Sequence, residues 1–524
     1  MTCAFSQAQV INPKRNVAGI KDMSSIGLDV GTTGCKATVI NKLGEVVAYA
    51  YQNYDLIIPS TGLAELNADI VWDSVKKVLR QVAVEAGGDI EAIAVASFGE
   101  SFVCLGEKGK TLGNSILFSD IRGTKEIDDI LEAIDKKELF DITGMPISSM
   151  YTLNKLLWVK QNTSMYDKAK YVMLFGDFIT YKLSGLRRID YSLASRTMMF
   201  DYKKKAWASS IMQTFEIDED KFSSPIASGE TIGRLSKSVA EELCLPEHVI
   251  LVAGGHDQVC AALGAGVLNE GESVDGIGTS ECITTIVSNT EDTAYMLEKN
   301  FCIEPYVIPD KYVSLAFNPA AGASVNWYKS TIDKERDSEY ALTGESIFAA
   351  MESECPDEPS SVLMIPYLAG TGTPYMDPSA AGAMLGLNLS TNRGDMYKAC
   401  LEGICFDIKL NTELLSNIGT NINSLICVGG VSKSDMLMQI KSDIMGIPIT
   451  RLKVKESGTM GLAMLCFVAL GEFKDFEDAS KVLVKPEKTF MPNKDKHAKY
   501  MDKYTIYKNA YKGLKNIYTV NTEV

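Results

Sequence analysis

The stretch SIGLDVGTTGCKATVINKLGEVV, Ser25 to Val47, sets two β-rich runs around a Gly/Thr turn, with a second turn at Lys42 to Gly44. Alternation bounded by such turn residues predicts three antiparallel strands. The first turn, DVGTTG, needs Gly31 and Gly34 for backbone conformations that face amides inward, while Thr32 and Thr33 add hydroxyl donors. Such a nest suits phosphate oxygens, although most Gly/Thr hairpins are only turns. Asp29 precedes it at a strand end, either as a turn residue or as a carboxylate that holds Mg2+ through water. Lys36 faces either a phosphate or solvent.

A similar phrase, SVDGIGTSECITTIVSN, returns at Ser273 to Asn289, nearly half the chain later. It sets Gly31-Thr32-Thr33-Gly34-Cys35 against Gly278-Thr279-Ser280-Glu281-Cys282. Two related halves explain the repeat, and two facing nests hold one polyphosphate between two domains. The length of 524 residues also calls for two or three domains. Strand and helix patterns alternate between the two phrases, as in EAIAVASF and KYVMLFGDFITYKLSG, which predicts α/β layers. In NSLICVGGVSKSDMLMQIKSDIMG, an apolar strand meets a Gly-Gly turn and then a helix with Met436, Ile440 and Ile444 on one face. The boundary is expected near Leu251 to Gly271. This gives a first domain over 25–262 and a second over 263–524, after a disordered leader at 1–24. The charged segment from Lys474 to Lys515 reads as a solvated helical tail of the second domain.

Charge and cysteine usage narrow the function. The 52 basic and 67 acidic residues leave a formal net charge of -15, so the chain lacks the broad positive field that nucleic-acid binding needs. Its 12 cysteines include no CxxC pair and resemble the reduced thiols of a cytoplasmic protein; with only 3 histidines, a His/Cys zinc site is not expected. The apolar run GLAMLCFVALG at Gly461 to Gly471 is too short to span a bilayer and reads as a buried helix, and no signal peptide is visible, so no membrane partner is expected.

In LVAGGHDQVCAALGAG, Leu251 to Gly266, an apolar strand meets two glycines, the triplet His256-Asp257-Gln258 and then small helical residues. Asp257 is either a helix-capping residue or a carboxylate presented to a cleft. Neither GxxxxGK[ST] nor a GxGxxG following a strand occurs, which argues against P-loop and dinucleotide-binding folds.

Taken in order, DVGTTG, LFSDIRG, AGGHDQVCAALGAG, GIGTSE, PYLAGTGTPYMDPSAAGAMLGL and VGGVSKSDMLMQIKSDIMGIPI resemble the FGGY carbohydrate kinases across Ser25 to Gly471. The resemblance implies an α/β fold of two actin-like, ribonuclease H-like ATPase domains around a central cleft, with the sugar mostly on the first and ATP mostly on the second. Asp257 matches the general base, and Asp29 and Asp257 are the carboxylates implied beside Mg2+. Gly31, Thr32, Thr33 and Lys36 match the first phosphate turn, and Gly278, Thr279 and Ser280 the second. AAGASVNW looks like the nucleotide segment, which implicates Gly322 and Asn326. Gly429, Gly430, Val431 and Ser434 look like the adenosine loop, or form a tight turn that uses the same glycines.

For the substrate, SFGES places Gly99 and Glu100 where glycerol kinases carry an Arg-Glu pair and xylulokinases a Met-His pair. Glu100 is thus a candidate for binding hydroxyls. Asp120 and Arg122 of LFSDIRG are candidates too, or a charge pair in a surface turn. His256 and Gln258 flank the base and either touch substrate or cap the helix. The implied activity is ATP-dependent phosphorylation of a hydroxyl on a small sugar or polyol, foremost a pentulose as in xylulokinases, by a cytoplasmic enzyme expected to be a homodimer. The rival is a non-enzymatic ATP-dependent sensor or chaperone-like ATPase, which shares the nests but requires no base.

Overall fold

The computed structural model describes residues 23–87, 89–287, 290–343, 346–453 and 456–518. The leader lies outside them, apart from Met23 and from Ser24, which opens the first strand.

Strands β1 (Ser24–Val30), β2 (Gly34–Asn41) and β3 (Val46–Asn53) form the expected antiparallel meander, in a register that puts Asp29 opposite Lys36 and Val30 opposite Cys35. β4 (Ile90–Ser97) runs parallel to β1, β5 (Thr231–Arg234) is an edge strand, and β6 (Ile250–His256) runs parallel to β4. The sheet order is β5-β6-β4-β1-β2-β3. Helix α1 (Ala68–Ala86) covers its outer face, with Val71, Val75, Val78, Leu79 and Val82 buried along one stripe. The Asn67 side chain caps this helix by accepting from the Asp69 and Ile70 amides.

The second half repeats the plan. β7 (Glu272–Ile277), β8 (Glu281–Ile286) and β10 (Tyr312–Asn318) form the antiparallel meander, with the short β9 (Glu304–Pro305) at its edge. β11 (Ser424–Val428) and β12 (Ile449–Leu452) lie parallel to β7, and β13 (Pro486–Phe490) closes the order β9-β10-β8-β7-β11-β12-β13. β3-β2-β1-β4-β6 and β10-β8-β7-β11-β12 therefore share one topology, which is what the repeated sequence phrase encodes. Register corrects one detail of the repeat: Cys35 pairs with Val30, whereas Glu281, not Cys282, pairs with Ile277. The second turn is shorter by one residue.

Two helices sit between the sheets. α4 (Asp257–Gly264) follows β6 directly, and α8 (Ser457–Ala469), the expected buried helix, returns from the second half to pack on α4, β1 and β4. The helices approach so closely that a Cβ at Gly264 would lie 1.9 Å from the Ser457 carbonyl oxygen, and one at Gly461 would lie 2.0 Å from that of Cys260. Only glycine fits at these crossings.

The charged C-terminal segment differs from the solvated tail expected of it. It supplies strand β13 and helix α9 (Lys494–Tyr518), which buries Tyr500, Tyr504, Tyr507, Tyr511 and Tyr518. Spacings of three, four and seven residues put these rings on one face, where Phe406 of α6 (Arg393–Ser416) packs among Tyr500, Tyr504 and Tyr507. Tyrosine supplies apolar area beneath a polar-looking sequence. The eleven cysteines among the described residues are free, and no helix among them is long and apolar enough to cross a membrane.

Candidate active site

Strand β6 ends at His256 and α4 begins at Asp257, so the sequence change from apolar run to Gly-Gly and polar triplet is the strand-to-helix switch itself. A Cβ at Gly254 would lie 2.0 Å from the Val95 carbonyl oxygen, so glycine lets β6 press against β4 here. Asp257 thereby stands in the first turn of a helix, where the unpaired amides and the dipole favour an anion. His256, the capping position, makes no side-chain capping bond. It takes part in the site instead.

Asp257, Gln258 and His256 line one wall of a cavity of about 360 Å³ between the two domains. Nε2 of His256 lies 3.3 Å from Oδ1 of Asp257, Nδ1 lies 3.0 Å from Oε1 of Glu304, and its backbone N–H donates to Ser192 Oγ at 2.8 Å. Burial pushes the Asp257 carboxyl up, and the Asp29 and Glu100 charges add to this against the opposing His256, leaving it at about 6. Burial alone would push His256 down, but Glu304 and Asp257 outweigh it and raise the imidazole to about 9. At neutral pH the pair is therefore carboxylate and imidazolium.

Glu100 lines the same cavity in the left-handed region, at φ 66°, a conformation that costs a non-glycine residue about 1–3 kcal/mol and clusters at functional sites. Arg196, just past helix α3 (Tyr191–Ser195), donates from Nε to its Oε1 at 2.6 Å. A Cβ on Gly99 would sit 2.8 Å from Arg196 Cγ, so the arginine stem occupies the space that a side chain at position 99 would need. Glu100 is thus paired with an arginine supplied from another element of the chain. Arg196 and Glu304 were not legible as site residues from motif spacing. Each is a charge inside an apolar run, LASRTMMF and FCIEPYV, and that is the signal that singles them out.

Asp120 and Arg122 are not among the residues that line the cavity. They pair with each other, Nε to Oδ1 at 2.9 Å and Nη2 to Oδ2 at 2.6 Å, while Arg122 also reaches Glu65 at 2.9 Å and lies over the Trp158 ring. Phe118 of the same motif does line the cavity.

The first Gly/Thr turn is fixed by the Gly31 amide donating to Gly34 O at 2.9 Å and by Tyr54, which donates from its hydroxyl to Gly31 O and from its amide to Thr33 O. Thr32 is half-buried and Thr33 exposed. Lys36 lies 3.0 Å from Asp29 Oδ2 and 2.7 Å from Glu456 Oε2, so its charge is shared between carboxylates of the two halves of the chain. In the second turn the Gly278 amide donates to Ser280 O, and Gly278 and Thr279 carbonyls accept from the Gly322 and Ala323 amides at the start of α5 (Ala321–Trp327). Thr279 and Ser280 are exposed, and Ser280 also lines the cavity. Asn326 is exposed on α5.

Beneath the second turn, fully buried Lys441 of α7 (Asp435–Met445) pairs with Asp275 and Glu281, tying β7 and β8 to the helix that follows the Gly429-Gly430 turn. Gly429 has φ 98°, and Gly430 is exposed beside half-buried Val431. Ser434 Oγ caps α7 through the Leu437 amide and donates to Glu352 at 2.6 Å, so its hydroxyl has structural partners. No group of three or more His, Cys, Asp or Glu among the described residues forms a metal cage. Asp29 and Asp257 instead offer hard carboxylate oxygens close enough to interact electrostatically, which fits Mg2+ shared with phosphate oxygens and water.

Two repeated domains, a Gly/Thr turn on each and a carboxylate-bearing cavity between them define a phosphotransferase-type ATPase architecture. The model of the FGGY family of carbohydrate kinases matches its N-terminal domain to residues 24–264 and its C-terminal domain to residues 276–470, so the chain belongs to that family. A relative named xylulose kinase from Bacillus subtilis (strain 168) is 28% identical over 498 residues, covering 94% of this chain and 98% of its own. Among solved structures, xylulose kinase from Rhodospirillum rubrum superposes with TM-score 0.86 at 23% identity, covering 95% and 100% of the two chains. Gluconate kinase from Lactobacillus acidophilus gives 0.85 at 24% identity, covering 94% and 98%. These structures establish the shared fold, and the family match makes the chain a carbohydrate kinase.

Proposed function

We propose that the protein transfers the γ-phosphoryl group of ATP to a hydroxyl of a small sugar or polyol, a pentulose foremost, with Asp257 accepting the hydroxyl proton. The observation that carries this reading is Asp257 itself: a carboxylate raised to about 6, 28% exposed, on the wall of a cavity that also contains Ser280 of the second phosphate turn. The acceptor and phosphate sites thus meet at one carboxylate.

Phosphoryl transfer asks for alignment and charge neutralisation more than for covalent chemistry. Asp257 orients the attacking hydroxyl and takes its proton, while Glu100, Gln258 and the Arg196-held wall orient the remaining hydroxyls. The turns at Gly31–Thr33 and Gly278–Ser280 hold phosphate oxygens, with Gly322, Asn326 and the Gly429–Ser434 segment toward the nucleoside. Bound Mg2+ supplies charge neutralisation to the phosphates, and Asp29 with Asp257 would hold it. The apolar walls, among them Phe118 and Tyr151, exclude water and so oppose ATP hydrolysis. We read the enzyme as cytoplasmic and homodimeric, with acceptor binding by 25–262 and nucleotide binding by 263–524.

ADP release measured over a panel of pentuloses, hexuloses, polyols and aldonates tests the reading. Strong acceleration by one acceptor class supports it. Acceptor-independent hydrolysis with peptide binding would instead support an ATPase of the sensor or chaperone type.

A further inference from the structure

Glu304 belongs to the C-terminal sheet through β9, yet both of its carboxylate oxygens are committed to side chains of the N-terminal domain. Oε1 faces Nδ1 of His256 at 3.0 Å, and Oε2 accepts from Nη1 of Arg196 at 3.3 Å. The side chain is 0% exposed, and those of His256 and Arg196 are 7% exposed, so these contacts form where water does not screen them.

Each partner of Glu304 in turn holds a carboxylate of the acceptor cavity. Arg196 holds Glu100 through Nε and Nη2, with its guanidinium over the Tyr151 ring at 5.1 Å. His256 faces Asp257 with its other ring nitrogen. Glu100, Arg196, Glu304, His256 and Asp257 form one continuous chain of alternating sign that crosses from one domain to the other and back. The hydrogen bond from Arg196 Nε and the ion pair from Nη2 both fall on Oε1 of Glu100, so an acceptor hydroxyl would meet its Oε2.

Without the Glu304 carboxylate, the Arg196 guanidinium and the His256 imidazole would lie side by side with no opposite charge between them. Removing one member of a buried charge network is strongly destabilising, because its partners are left uncompensated. Both side chains would then shift or rehydrate, and Glu100 and Asp257 would lose their supports. We propose that Glu304 is a positioning residue by which the C-terminal half of the chain holds Arg196 and His256, and through them Glu100 and Asp257, in place in the acceptor site. This rests on reading the cavity as the acceptor site.

The test uses the full chain and its isosteric variant Glu304→Gln. With the best acceptor of the wild type, KM for that acceptor should rise about tenfold and kcat should fall about tenfold, while the ATP dissociation constant stays within twofold. In the Glu304→Gln background, Arg196→Gln should add much less than it costs alone, because both remove one coupled unit. A merely stabilising role would lower the melting temperature and leave the kinetics of the folded enzyme unchanged.

Acceptor kinetics within twofold of wild type, or fully additive losses, would each overturn the proposal. If Glu304→Gln does not fold, Arg196→Gln makes the same kinetic comparison from the other domain. A wild-type chain that turns over no acceptor would remove the functional reading, and the melting temperatures of the two single variants and the double variant would still decide whether Glu304 and Arg196 are coupled.

Discussion

His256 sets its Nε2 3.3 Å from Oδ1 of Asp257 while its Nδ1 lies 3.0 Å from Glu304. The carboxylate is thus oriented by a neighbour that is itself fixed from behind. Asp257→Asn keeps the shape of this arrangement and removes the proton acceptor. It should lower kcat by about 10²- to 10⁴-fold, the usual range for losing a general base. Nucleotide affinity, measured by equilibrium titration, should remain within a few-fold of wild type. Near-normal turnover would exclude Asp257 as the base.

The same pair sets the pH response. Asp257, raised to about 6, accepts a proton only when ionised, so kcat/KM for the acceptor should fall as pH drops through about 6. His256, raised to about 9, supports it only while protonated, so activity should fall again as pH rises through about 9. These limits belong to the coupled pair. In His256→Gln the alkaline limb should disappear, and the acid limb should move upward, because the imidazolium lowers the Asp257 pKa. A profile identical to wild type would show that His256 does not act on the base.

The repeated phrases at Ser25 and Ser273 made the two-domain topology legible, because a Gly/Thr turn between β-rich runs admits few alternatives. Asp257 was legible for a related reason: two glycines and a polar triplet at a strand end mark a switch from strand to helix. Arg196 and Glu304 were obscure because they belong to different halves and meet only when the chain folds. The C-terminal helix misled for another reason. Its lysines and acids dominate the composition, while the buried face is made of tyrosines, whose hydroxyls mask their apolar area.

Asp29 lies within reach of both Lys36 and, electrostatically, Asp257. If it holds Mg2+ beside the phosphates, Asp29→Asn should raise the Mg2+ concentration for half-maximal activity about tenfold, since such sites depend on one or two carboxylates. The substitution also removes a negative charge that raises the Asp257 pKa. The acid limb of the pH profile should therefore move downward. A Mg2+ titration at fixed ATP, repeated across pH, checks both effects, and an unchanged Mg2+ requirement would assign Asp29 to the turn alone.

Tyr500 tests whether α9 is part of the core. Its ring is 1% exposed and packs against Phe406, with its hydroxyl donating to Glu402 at 3.1 Å. Tyr500→Ala should destabilise the C-terminal domain by about 3–5 kcal/mol, as for other large-to-small aromatic replacements in cores. Denaturant unfolding followed by circular dichroism measures this. A change below about 0.5 kcal/mol, the size typical of surface positions, would return the helix to the solvent.

Gly322 offers a separate test of the phosphate role proposed for the second turn. A Cβ at this position would lie 2.1 Å from the Gly278 carbonyl oxygen, which already accepts the Gly322 amide at 3.1 Å. Gly322→Ala must therefore push α5 away from Gly278 and Thr279, at an overpacking cost of about 1–3 kcal/mol. The displacement falls on the turn and leaves Asp257 on its own helix. The KM for ATP should rise about tenfold or more, while KM for the acceptor changes less than threefold. Steady-state kinetics with each substrate varied in turn separates the two. Equal effects on both constants would mean that the turn and the acceptor cavity act as one unit through Ser280, and an unchanged KM for ATP would remove the turn from the nucleotide site.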